Sequence, residues 1–170
     1  MRVVTLAATQ MACGWDRDAN LAAAQEMVRR AAGQGANVVL LQELFETPYF
    51  CPDQKEAHFG LARPFDGNPM IASMAQLAAE LQVVLPVSFF ERAGDSYFNT
   101  LAVIDADGAV LGTYRKSHIP EGPGYEEKFY FTPGDTGFRV WQTKAGVLGC
   151  VRMVPHDSTR HGCTDQVRGQ

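Results

Sequence analysis

A chain of 170 residues, 46% of them hydrophobic, carries apolar material for one sizeable core and has the length of a single domain. Its net charge of -4, with no basic stripe, argues against a nucleic-acid surface, which needs clustered excess Lys and Arg. The amino end, MRVVTLAATQMACGWD, breaks its apolar run at Thr9 and Gln10, too early for a signal segment or a bilayer span, so the expected protein is cytoplasmic with no membrane partner. Residues 3–9 predict a strand. Residues 18–35 predict a helix, because Leu21, Ala24, Met27, Val28 and Ala31 recur at helical spacing and Gly33 and Gly35 supply a stop. NVVLLQ, residues 37–42, predicts a strand buried on both faces of a layered α/β domain. Asn68 and Pro69 then make a helix cap and first position. Ile71, Met74, Ala75, Ala78 and Leu81 mark the inward face, and VVLPVSFF from residue 83 is the next strand. FNTLAVIDADGAVLGTYRK holds two strand-like runs hinged on Asp105-Ala106-Asp107-Gly108, a hairpin signal. A sheet of mixed pairing with helices on one side follows from this order.

Few residues stand out chemically when taken singly. Glu43 ends the buried run 38–42, where α/β sheets place their sites, although a strand that has reached solvent looks the same. Lys116 closes VLGTYRK ahead of SHIP, where Pro120 biases Ile119 towards extended backbone; alone, it reads as a snorkelling surface lysine. Glu127, in YEEKFYFTPGD, reads alone as a solvated charge beside an aromatic cluster. His118 is a loop histidine open to base, ligand or purely structural use. Four cysteines, 13, 51, 150 and 163, are irregularly spaced and predict free thiols rather than a disulfide framework. Cys150, His156, His161 and Cys163 match no zinc spacing, and no Gly-rich phosphate loop, G-x-S-x-G elbow or His-Glu-x-x-His helix is present. No metal and no cofactor are therefore expected.

In combination, LLQELFETPYF, TYRKSHIP and GPGYEEKFYFTPGDTGF occur in the order and context of the nitrilase superfamily, the carbon-nitrogen hydrolases, and the chain resembles that family from its first strand to about Gly149. QELFETPYFC and HIPEGPGYEEKFYFTPGDTGF look closest to the branch that hydrolyses N-carbamoylputrescine to putrescine, ammonia and carbon dioxide. The resemblance implies a four-layer α-β-β-α sandwich, of which residues 1–149 would be the N-terminal part. It also implies a small carbamoyl-amine substrate and homo-oligomers. Glu43 corresponds to the family's general base, Lys116 to the cation that stabilises the tetrahedral intermediate, and Glu127 to a second carboxylate that orients the lysine and the substrate. Glu121 and Glu126 are candidates for a diamine tail.

The nucleophile is where the pattern departs. In this family the cysteine ends a strand in a run resembling G-x-x-x-C-W-D. The strand here starts in register at Ala145-Gly146-Val147-Leu148-Gly149, and the nucleophile position falls on Met153. Cys150, the candidate thiol, comes three residues early, which turns its side chain to the opposite face and displaces it by roughly 10 Å along the strand. No Trp-Asp follows. Residues 150–170 show no apolar periodicity and read as a divergent tail, so the expectation is an impaired or inactive hydrolase with an unpaired sheet edge and uncovered apolar surface.

Overall fold

The computed structural model describes residues 3–150, the last of them by its main chain only. Strand β1 (Leu6–Ala8) pairs in parallel with β2 (Val38–Leu40), Leu6 opposite Val38 and Ala8 opposite Leu40. Both are shorter than their apolar runs predict, because side chains replace the ladder at each end. Thr5 N donates to the Asn37 side-chain carbonyl, and Gln42 binds both the N–H and the C=O of Met11.

The crossover between them is helix α1 (Arg17–Gly33). Asp16 caps it by accepting from Ala19 N at 3.0 Å, and Ala24 and Val28 face the core. Asn68 caps helix α2 (Pro69–Leu81) through Met70 N and Ile71 N, Pro69 fills the first position, and Met70, Ile71, Met74, Leu77 and Ala78 are buried. After α2 the chain crosses beside β2 in a parallel bridge, Val38 to Val84, and enters an antiparallel meander. The meander consists of β3 (Leu85–Ala93), β4 (Ser96–Ile104) and β5 (Val110–Arg115). The turn at 105–108 closes through Gly108 N to Asp105 O at 2.9 Å. Glycine is required there: φ is +85°, and a Cβ would lie 2.7 Å from the Ala75 carbonyl of α2. A second hairpin, β6 (Arg139–Thr143) and β7 (Gly146–Cys150), follows.

Both helices cover one face of the sheet, and the core lies between them and the strands, centred on Val28, Val39, Phe45, Met74, Leu85, Val87 and Phe89. The other face is covered in part by the second hairpin. Trp141 packs on Val103 and Tyr114, and Leu148 on the cluster around Val38 and Val84. The run 37–42 is buried on both faces at Val38 and Val39, but beyond that hairpin Leu40 is 47% exposed; among the described residues no layer lies over this end of the strand. Among the described residues, no helix is long and apolar enough to cross a membrane. A separate cluster, Leu44, Phe50, Cys51, Ala62, Phe90, Ile119, Tyr130 and Phe131, lies beside the main core and supports the site described next.

Candidate active site

Three loops leave the strands at neighbouring positions. Segment 41–47 follows β2, Lys116 follows β5, and a short 3-10 turn, Glu127–Phe129, is held on the aromatic cluster. Glu43 precedes Leu44, which has a positive φ of 54°, a costly backbone for a branched side chain. The surroundings hold it there: Leu44 is buried, its N–H donates to Ser88 Oγ of β3 at 3.1 Å, and Gln42 on the other side is tied to Met11. Further along, Glu46 pairs with Arg17 of α1 at 2.8 Å, and Asn20 Nδ2 donates to the Glu46 carbonyl. Helix α1 therefore anchors the segment that carries Glu43.

Lys116 extends the β4–β5 ladder through its N–H to Asn99 O at 2.8 Å, and its own carbonyl accepts from Gly134 N at 2.9 Å. Glu126 N donates to Cys51 O, and Phe131 N to Glu127 O. The turn carrying Glu127 is thus fastened on both sides. In the cluster that supports it, Phe50 with Tyr130 and Phe90 with Phe131 pack edge to face, and Phe50 with Phe90 at a tilt.

These frames bring the three groups together. Lys116 Nζ lies 2.9 Å from Glu43 Oε1, 2.8 Å from Glu127 Oε2 and 3.1 Å from Glu127 Oε1. Glu127 is 3% exposed, not a solvated charge, and the Lys116 side chain is 15% exposed, not a surface lysine. Glu43 keeps its carboxylate half open to solvent. Burial works against the charged amine, but the charge of Glu43 and the hydrogen bonds to Glu127 and Glu43 outweigh it, so Lys116 sits above its ordinary value. The ammonium is kept protonated, and one face of the group opens to solvent at Glu43.

Two further residues complete the arrangement, and neither was singled out by sequence reasoning. Tyr49 OH donates to Glu127 Oε1 at 2.7 Å, and Asn99 Nδ2 donates to Glu43 Oε1 at 2.7 Å. Burial, then the bond to Glu127, pushes the Tyr49 phenol well up, so it remains a neutral donor. A polar Asn inside the apolar strand 98–104 was the available signal for Asn99. Tyr49 carried none, since no regular spacing links it to Glu127.

Among the described residues the free thiols are Cys13 and Cys51. Cys51 is fully buried close to the site. Burial first, then the Glu127 charge, pushes it up to about 12, the opposite of an activated nucleophile. Cys13 is raised by burial and accepts from Gln42 Nε2. The sign for stability follows from these shifts. Groups raised above their ordinary values of 9.0 (Cys51), 10.0 (Tyr49) and 10.5 (Lys116) stabilise the fold fully below those values and cease to do so as pH rises through the folded ones. Urea midpoints should therefore fall above pH 9, each titrating group adding a slope of about 1.4 kcal/mol per pH unit. Cys51→Ala should flatten the first part of that fall; an unchanged curve would show that the thiol does not contribute.

His118 is exposed on its loop. Glu121 and Glu126 lie at the surface beside the Glu127 turn, Glu121 accepting from Lys128 N and Glu126 from Gln54. The Cys150 side chain, Met153, His156, His161 and Cys163 lie outside the described residues. Among the described residues no group of three or more His, Cys, Asp or Glu is arranged to hold a metal ion.

The family described as carbon-nitrogen hydrolase matches residues 5–153. Over 148 residues the chain is 58% identical to an N-carbamoylputrescine amidase of Solanum tuberosum, covering 87% of this chain and 49% of that protein. It is 56% identical over 148 residues to an N-carbamoylputrescine amidase of Arabidopsis thaliana, covering 87% and 50%. Among solved structures, a carbon-nitrogen hydrolase from Helicobacter pylori G27 superposes with a TM-score of 0.78 at 38% identity, over 86% of this chain and 50% of that one. The chain spans about half the length of the curated relatives it matches.

Proposed function

Because the chain belongs to the carbon-nitrogen hydrolase family, we propose that residues 3–150 carry the base, ammonium and orienting carboxylate of a site for hydrolysing N-carbamoylputrescine to putrescine, ammonia and carbon dioxide. One observation carries the reading: a single ammonium, Lys116, lies within 3.1 Å of two carboxylates that differ in burial, one buried and one open. The likeness to N-carbamoylputrescine amidases supports the choice of substrate.

The chemistry suits that division. A ureido carbonyl is a poor electrophile, so attack needs a strong nucleophile, and a deprotonating thiol is one. Its proton passes to Glu43 as sulfur bonds to the carbonyl carbon, and Lys116 offsets the charge that the carbonyl oxygen receives. The C–N bond to the terminal nitrogen then breaks, and the proton leaves with ammonia. Water, activated by the same carboxylate, cleaves the thiocarbamate to restore the thiol and give a carbamic acid, which loses carbon dioxide to leave the amine. Glu127, buried and shared between Lys116 and Tyr49, orients the ammonium.

The thiol decides whether this chain turns over. Its register position is Met153, so the expected result with purified 170-residue protein and N-carbamoylputrescine is no release of ammonia or putrescine. Ammonia release that disappears in Cys150→Ala would overturn that expectation and make Cys150 the nucleophile. The exposed Leu6, Leu40, Phe138 and Val140 favour a second reading, that the chain acts by associating with its own kind or with longer homologous subunits. Sedimentation of a strictly monomeric protein at tens of micromolar would remove it.

A further inference from the structure

Resting on the base role given to Glu43, we propose that Asn99 is a positioning residue: it holds the Glu43 carboxylate by Oε1 so that Oε2 is the oxygen that accepts the nucleophile's proton. Asn99 is 5% exposed, in the middle of β4, and an amide buried there is costly unless its hydrogen bonds are made. It ties the two reactive groups together from one backbone position. Its side-chain nitrogen donates to Glu43 Oε1 at 2.7 Å, and its carbonyl accepts from Lys116 N at 2.8 Å. The direction of the amide is forced, because a carboxylate can only accept, so nitrogen and not oxygen must face Glu43.

Oε1 is then doubly engaged, since Lys116 Nζ donates to the same atom at 2.9 Å. Among the described residues, the hydrogen bonds made to the Glu43 carboxylate all end on Oε1. Negative charge on that oxygen is shared with a cation and an amide, and Oε2 is left as the unshared base on a carboxylate half open to solvent. Two donors on one oxygen also fix the carboxylate against rotation about a terminal bond that is otherwise soft. Lys116 alone does not achieve this, because its flexible ammonium is shared with Glu127.

The support beneath Asn99 is rigid. Its partner across the ladder is Phe90, and the next residue, Thr100, donates to Glu91 Oε2 at 2.6 Å. Glu91 in turn accepts from Arg115 Nε at 2.9 Å and Nη2 at 2.7 Å, and Arg115 immediately precedes Lys116. The base and the ammonium are therefore referred to one pair of strands, which is how a site keeps its geometry to a fraction of an ångström.

The test uses the whole 170-residue chain with glutamate carboxylate carbons labelled with carbon-13, the Glu43 and Glu127 signals being assigned by their loss in Glu43→Gln and Glu127→Gln. In Asn99→Ala and in the isosteric Asn99→Asp, the Glu43 carboxylate resonance should move and the Glu127 resonance stay. A Glu43 signal that stays in both overturns the proposal. A reciprocal measurement guards against misfolding of those variants: in Glu43→Gln, at a half-exposed position, the side-chain amide signal of Asn99 should shift, and an unmoved amide signal overturns the proposal as well. Where turnover is measurable, Asn99→Ala should lower kcat on the order of 10- to 100-fold with KM changed by less than about twofold, a split that simple destabilisation does not produce. An unchanged kcat overturns the proposal. If the unaltered chain shows no turnover, as Met153 at the nucleophile position leads us to expect, the resonances decide the role of Asn99 by themselves.

Discussion

Lys116→Met is expected to destabilise the protein by about 3 kcal/mol or more, the range found when one partner of a buried ion pair is removed. The two carboxylates contribute unequally to that figure. Glu43 is half exposed, so water screens it and its pairing with Lys116 adds little to stability. Glu127 is 3% exposed, and without the ammonium it keeps Tyr49 as its side-chain donor among the described residues. The loss should therefore come from Glu127, and Lys116→Met combined with Glu127→Gln should recover most of it, because the neutral amide needs no counter-charge. Urea denaturation of the two single variants and the double variant gives the coupling directly. A Lys116→Met protein within 0.5 kcal/mol of the parent would mean that Glu127 is not held as a charge by Lys116.

Gly134→Ala is expected to damage the same site from outside it. A Cβ on Gly134 would lie 2.1 Å from the Arg115 carbonyl oxygen and 2.5 Å from its carbon, and these are backbone atoms that cannot turn aside. The segment 132–136 would have to lift from β5. That breaks Gly134 N to Lys116 O and Arg115 N to Thr136 Oγ1, and it loosens the pair of Arg115 with Asp135. Overpacking of this kind costs about 1–3 kcal/mol before the lost hydrogen bonds are counted. The carbonyl of Lys116 would lose its anchor at the same time. Gly60→Ala is the control, since a Cβ there meets nothing within 4 Å. Equal midpoints for the two variants would show that the 132–136 segment yields without cost.

The helices were legible because their signals are local. Asn68 and Pro69 sit at the start of α2, and Ala24, Val28, Ile71, Met74 and Ala78 recur at the helical period on faces that are buried. The turn at Asp105–Gly108 was legible for the same reason. Strand ends were not. Residues 3–5 and 41–42 are apolar or neutral enough to continue a strand, and whether they do depends on Asn37 and on Gln42 with Met11, partners 31 or 32 residues away. The burial of 37–42 was misjudged at Leu40 because burial on the far face depends on a layer that no feature of the run itself specifies.

Glu43, Lys116 and Glu127 each looked ordinary within its own segment; the resemblance to a family brought them together as a site. What the sequence by itself determined is the order and type of the elements, the Asn68 cap, the hairpin and the family to which the ordered motifs belong. Tertiary structure alone decided that Glu43 and Glu127 share the ammonium of Lys116, which lies 73 residues from the first and 11 from the second, that Glu127 is buried while Glu43 is open, and that Tyr49 and Asn99 each take one carboxylate. The physical reason is range. Periodicity and capping act over one or two turns of chain, whereas burial and ion pairing are set by whichever strand ends the fold places within about 3 Å of one another.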